Sequence, residues 1–158
     1  MTDHVRTQSR DAMATQLAGL SSTAARVFKR RVRPLSMSDL PCLLVYAGDN
    51  EQRERVTIGF PAQLRCEMEL VVEVVVKAAE GSSGDSDLDA LMNASIKEVE
   101  VANTASTSAF TLGGLVREGL QLQGIETNDE AGEKLLGYAR MKYLATYRIV
   151  ENAPDVAI

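Results

Sequence analysis

The sequence has no tryptophan, one histidine, two cysteines and four prolines in 158 residues, and aromatic side chains make up only 4% of it. Cys42 and Cys66, 24 positions apart, are too few for a disulfide scaffold. Both stand in apolar runs, where buried, inert thiols are commoner than nucleophiles. His4 lies near a terminus that should fray, so a solvated side chain is expected there. One histidine and two scattered cysteines provide no ligand spacing for a structural zinc ion. The phosphate cradles GxxxxGK[ST] and GxGxxG are missing, as is the G-x-S-x-G elbow. A Ser-His-Asp triad would have to use His4, and no carboxylate pair stands out. The expectation is therefore a protein without catalytic residues, cofactor or metal. No run reaches the roughly 18–20 apolar residues of a membrane span, so no membrane partner is expected. The polar start, Met1-Thr2-Asp3-His4, lacks the basic-then-apolar pattern of a secretory signal, and the cytoplasm is the default compartment.

What is present suits one folded domain. The chain is 45% apolar and 25% charged, with a net charge of −5. At this length folding buries roughly 68–70% of the unfolded surface, so a core needs no staples. We read residues 1–158 as a single domain, with 1–4 and 151–158 as loose ends.

Val5, Ala12, Met13, Leu17 and Leu20 share one face of a helix over about 3–20, interrupted by Ser9 and Gln16. The segment RVFKRRVRP, 26–34, carries Arg26, Lys29, Arg30, Arg31 and Arg33. It reads as a charged edge strand or loop, or as a patch for nucleic acid. Pro41 precedes the apolar run Cys42 to Ala47, a buried strand that Gly48-Asp49-Asn50 should end. Residues 49–61 then read as a long charged loop, mobile or ordered by a partner.

Strict alternation marks 62–78 as a half-buried strand: Cys66, Met68, Leu70, Val72, Val74 and Val76 point one way. Twelve such residues span about 40 Å. GSSGDS, 81–86, is a break, after which Ser86 opens a helix with the stripe Leu88, Leu91, Met92, Ile96 and Val99. Residues 103–114 stay unassigned. A short strand is expected near 120–126, and 126–134 as its turn-rich connection. Period two returns from Leu135 to Val150, with Ala139, Met141, Tyr143, Ala145, Tyr147 and Ile149 on one face. The fold class that follows is α+β: an antiparallel or mixed sheet of about four main strands, with two helices packed on one face.

The outward face of the first long strand is acidic (Glu67, Glu69, Glu73), and that of the last is basic (Arg140, Lys142, Arg148). Either the two strands are neighbours and pair charges within the molecule, or the acidic strip of one copy meets the basic strip of the next. Val71, Val75 and Leu144 on the same faces offer apolar surface that a lone subunit would leave wet.

Taken in order, DLPCLLVYAG (39–48), a charged loop, MELVVEVVVKA (68–78), SDLDALMNASIKEVE (86–100) and YARMKYLATYRIVE (138–151) resemble the minor tail protein U family. These are tail terminators of lambda-type phages with long flexible tails. The likeness extends over about residues 5–151, except that 103–114 and 26–33 have no match in it. It implies an α+β subunit that forms a hexameric ring, free or only on the tail. The ring would cap the tail tube, stop its growth and offer its far side to the head-tail connector. DNA would pass through the lumen without specific binding, and no reaction would be catalysed. The protein would then belong to the virion, at the head-proximal end of the tail, after assembly in the host cytoplasm. A subunit of this length has a radius of gyration near 15 Å and a diameter of about 35–40 Å, so six in a ring leave room for a duplex. The acidic balance suits passage rather than gripping of phosphates. Contacts with other subunits or the tube would fall to Glu51, Arg53 and Arg55 on the charged loop and to the two charged strips. Alternatives are another ring-forming neck, head-completion or tail-tube protein, or a small nucleic-acid-binding module using 26–33.

Overall fold

Period-two alternation with β-branched residues places Gln63–Lys77 in an extended strand, and the same pattern governs Leu136–Val150. The computed structural model describes residues 2–29, 37–78, 85–130 and 136–158. Within them the order is α1 (Val5–Leu17), β1 (Val27–Phe28), a 3₁₀ turn at Met37–Asp39, β2 (Cys42–Arg55), β3 (Gln63–Lys77), α2 (Asp85–Asn103), α3 (Thr107–Phe110), β4 (Leu120–Glu130) and β5 (Leu136–Val150). The strands form one mixed sheet in the order β1-β2-β3-β5-β4. Only β1 runs parallel to its neighbour; the other pairs are antiparallel. The class is α+β, with two long helices and five strands, one of them only two residues long.

β3 and β5 pair over their whole length, from Gln63 opposite Val150 to Lys77 opposite Leu136. That register puts Cys66, Met68, Leu70, Val72, Val74 and Val76 on the same face as Ala139, Met141, Tyr143, Ala145, Tyr147 and Ile149. All twelve are buried. α2 lies against β3 and β5, and α1 against β2 and α2. Their stripes, Val5, Met13 and Leu17 with Leu88, Met92, Ile96 and Val99, close the main core. Ser9 is buried on the α1 face, and Gln16 donates to Asn103 Oδ1 of α2 at 2.8 Å. Leu91, expected in the α2 stripe, is 42% exposed, because it sits at the edge of that face.

Several expectations need correction. The chain does not turn away at Gly48: β2 continues through a bulge between Ala47 and Glu51 and stays paired with β3 as far as Arg55 opposite Leu64. Gly48 permits this because a Cβ there would meet Glu69 Cβ at 2.8 Å. The connection is therefore 56–62, not 49–61. It is pinned: Val56 N–H donates to Gln63 O at 2.8 Å, Arg55 Nη2 to Gly59 O at 2.8 Å, and Ala62 N–H to Glu151 Oε2 at 3.0 Å. β4 likewise extends through Glu126–Glu130, which was expected to be connection; residues 131–135 lie outside the described residues. Residues 107–110 of the unassigned stretch form α3, capped by Ser106, whose Oγ accepts from Ala109 N–H at 3.1 Å.

The ends are tied. Val5 N–H donates to Pro154 O at 3.1 Å, Gln8 Nε2 to Asp155 O at 2.7 Å, and Ile158 N–H to Arg148 O at 3.0 Å. The tail 151–158 is thus a brace across α1 and β5 rather than a loose end. His4 caps α1, its Nδ1 accepting from Arg6 N–H at 3.1 Å.

Nor is the other face of the sheet bare throughout. Cys42, Leu44, Tyr46, Val71, Val75 and Tyr138 form a second buried cluster there, joined by Leu40 and flanked by Phe28 and Leu136. Val71 and Val75 are therefore not wet. Segments distant in sequence cover this end of the face, which period two alone does not reveal.

Neighbouring β5 residues should separate the two faces. Met141→Ala is expected to cost about 2–5 kcal/mol, whereas Lys142→Ala, on the solvent side, should change stability by less than about 1 kcal/mol. Urea denaturation at constant m-value checks both.

Candidate functional site

Two regions of the surface concentrate polar and charged chemistry, and the register decides which residue faces which. Because Glu51 pairs with Met68 and Arg53 with Cys66, Glu51 and Arg53 face the helices, not the solvent side of the sheet. Glu51 is only 11% exposed. It accepts the hydroxyl of Tyr147 and a 3.0 Å hydrogen bond from Arg53 Nε, and Arg6 Nε lies 3.6 Å away. Burial, then the bond to Glu51, pushes the Tyr147 phenol well above its ordinary range, so it remains a donor at all working pH. Burial also pushes the Cys66 thiol up, against the pull of Arg53 and Tyr147, which keeps it an inert thiol. Neither cysteine is in a disulfide.

Beside this carboxylate, β2 and the first turns of α1 border an open cavity of about 580 Å³ lined by His4, Arg6, Thr7, Arg10, Lys29, Tyr46, Ala47 and Arg53. His4 and Arg53 come within 3.3 Å, Nε2 to Nη2. Arg10 pairs with Asp11 at 2.8 Å, and Lys29 with the same carboxylate at 3.4 Å. Of the basic cluster 26–33, Lys29 thus joins the cavity. Arg26 instead donates to Pro41 O at 2.8 Å and Ser22 O at 3.3 Å, fixing the chain before β2. Arg30, Arg31 and Arg33 lie outside the described residues.

The second region is the solvent face of the sheet. β3 and β5 are immediate neighbours, so the acidic and basic strips lie side by side in one subunit. Glu73 stands opposite Arg140, 3.9 Å apart, and also accepts from the Tyr46 hydroxyl at 3.2 Å. Its side chain is only 3% exposed, so this member of the acidic strip is inside the second cluster. Lys142 reaches Glu126 on β4 at 2.9 Å. Arg148 lies 3.9 Å from Glu118, which also takes two hydrogen bonds from Arg65, at 3.0 and 2.6 Å. Glu67 pairs with Arg65 at 2.5 Å, and Glu69 packs over Gly48. The hydrogen bonds from Arg65 hold the Glu118 carboxyl below its ordinary value of 4.5. Arg55, at the far end of β2, pairs with Glu151 at 3.3 Å.

Beyond Arg55 the hairpin tip exposes Val56, Ile58 and Phe60; Ile58 is fully exposed and Phe60 82%. Gly59, with φ +98°, makes the turn between them. These residues were passed over because 49–61 reads as a charged loop, in which Glu51, Arg53 and Arg55 draw the attention. Three large apolar side chains in VTIGFPA (56–62) were the available signal. The cavity at His4 had no such signal, since its members come from α1, from the chain after β1 and from β2.

Among the described residues, no three His, Cys, Asp or Glu side chains gather as a metal would need, and no helix is long and apolar enough to cross a membrane. Neither a scan against protein-family models nor a search of curated proteins finds a match to this chain.

Two tests follow. Tyr147→Phe leaves the covered Glu51 carboxylate one donor short and should cost about 1–3 kcal/mol in denaturation. The folded pKa of Glu118 is lowered, so its contribution is present above pH 4.5 and is lost as pH falls through the folded value. Glu118→Gln should therefore flatten the acid limb of a Tm-against-pH curve, slightly, because the carboxylate is a third exposed.

Proposed function

We propose that the chain is a structural subunit that assembles with copies of itself into a ring, and that the ring ends a phage tail tube and meets the head-tail connector. The observation that carries this reading is the β2–β3 hairpin. Its outer shaft is paired from Glu51 to Arg55, its end is pinned to Glu151, and its tip presents Ile58 and Phe60 to water. A lone soluble subunit gains nothing from holding large apolar side chains on a rigid arm; a contact with another protein covers them. The ordered likeness to tail terminators adds the kind of assembly.

The contact is read as head-to-tail, since the arm cannot cover itself, and head-to-tail contacts close into rings when their rotation permits. A receiving surface is present in the same chain. Gly19, Leu20 and Ser21 after α1 and Ala94, Val101 and Ala102 of α2 line a mainly apolar groove of about 480 Å³, with Val101 57% exposed. That is room for a phenyl ring with its neighbour. Tube and connector would then dock on the two ring faces, where the charged residues of the solvent sheet face are the available contacts. The mechanism is steric: a capped tube offers no surface on which the next tube subunit can add.

Light scattering and electron microscopy of the protein with the tail tubes of its own phage test this. The wild type should form rings or cap tubes. Ile58→Asp with Phe60→Asp should abolish both, with the Tm held within a few degrees. Assembly and capping by the double variant at wild-type levels, or a wild-type protein that remains a monomer with and without tubes, would contradict it.

A further inference from the structure

The cavity between β2 and the start of α1 is unexplained by ring formation. We propose that it is a binding site for a phosphate group with two negative charges: inorganic phosphate or a phosphate monoester.

The first ground is a conflict between hydrogen-bond donors. His4 Nδ1 accepts from Arg6 N–H at 3.1 Å, which leaves the ring proton on Nε2. Yet Nε2 faces Arg53 Nη2 at 3.3 Å, and a guanidinium only donates. Two donors that close to one another are satisfied by an acceptor seated beside the pair, on the cavity side, within reach of both. An anion oxygen in the cavity is such an acceptor.

The second ground is charge. Arg6, Arg10, Lys29 and Arg53 line the cavity, and the carboxylates bonded to them are Asp11 and Glu51. Among the described residues, four cations against two anions leave an excess of two positive charges, in a chain whose net charge is −5. The excess is opposite in sign to the whole molecule, so it draws a small anion in rather than following the general surface.

The third ground is number and shape. Three guanidinium groups, one ammonium, the His4 ring N–H and the Thr7 hydroxyl come to one cavity of about 580 Å³, within the range of small-molecule sites. A carboxylate has two oxygens in one plane and one charge, so it would leave most of these donors unmet. A phosphate monoester has three terminal oxygens in a tetrahedral array and up to two charges, matching both the donors and the excess. A phosphodiester, with one charge and two free oxygens, matches less well. The tied termini give the site a firm wall, since Val5 and Gln8 are bonded to the chain end at Pro154 and Asp155.

The site does not depend on whether copies assemble, and its test is separate from that of the ring. Calorimetric titration of the full chain with inorganic phosphate, against chloride at equal ionic strength, should give a Kd of about 1 mM or tighter and a phosphate-specific rise in Tm. Arg10→Gln with Lys29→Gln removes two of the cations, whose bonds to Asp11 are exposed ones. This variant should keep its Tm in chloride and bind phosphate at least about tenfold more weakly. Arg53→Gln supplies an acceptor opposite His4 Nε2, and it too should weaken phosphate binding. No heat and no Tm change specific to phosphate overturns the proposal, as does unchanged affinity in both variants. Binding of a DNA duplex that phosphate does not displace overturns it in favour of a nucleic-acid surface.

Discussion

The fold depends on one strand being paired on both sides. β3 is hydrogen-bonded to β2 along one edge and to β5 along the other, and the β5 ladder runs unbroken from Gln63 to Lys77. This fixes which residues look toward the helices, because a slip of one residue would send Met68, Leu70, Val72 and Val74 to the solvent side. Twelve buried side chains of β3 and β5 oppose such a slip. The helices then settle on a surface already decided, and β4 adds to the free edge of β5.

The two sheet faces have different characters, and the difference runs along the strands as well as across them. The helix side is mainly apolar, with Ser9, Ser95 and Asn103 buried among the helices and with Glu51, Arg53 and Tyr147 meeting His4 and Arg6 at the α1 end. The other side is apolar at the end that holds Cys42, Val75 and Tyr138, and charged at the end that holds Arg65, Glu67, Glu118 and Arg148. Of the two strips, Glu73 and Arg140 meet across β3 and β5, whereas Lys142 and Arg148 reach Glu126 and Glu118 and Glu67 pairs with Arg65 on its own strand. Outside these pairs the surface presents the hairpin tip, the groove beside α2, the cavity at His4 and the rim of the charged end.

Much of this was legible from local pattern and some of it was not. β3 and β5 were readable to within a residue or so because period two with aliphatic residues has few other solutions. The stripes of α1 and α2 were readable for the same reason, although α1 ends at Leu17 rather than near 20, leaving Leu20 in the bridge to Ala24 after the helix, and Leu91 lies at the margin where periodicity decides nothing. The second half of β2 was hidden. Gly48-Asp49-Asn50 reads as a turn, and Glu51 to Arg55 as a solvated loop, yet backbone pairing to β3 needs no apolar side chains. β4 beyond Glu126 was hidden in the same way. The cover over Val71 and Val75, and the meeting of His4 with Arg53 across 49 positions, are products of tertiary structure that no window of sequence contains. The tied tail is another, since ITS bonds go to α1 and to the end of β5.

A rigid arm that stays bare until another protein covers it has a direct signature in amide hydrogen exchange. Followed from dilute protein to assembled particles, amides of 63–77 and 136–150 should exchange slowly throughout. Those of 57–60 should exchange quickly in the dilute protein and become protected on assembly. Assembly that leaves 57–60 as fast as before, while some other surface becomes protected, would contradict the role given to the hairpin.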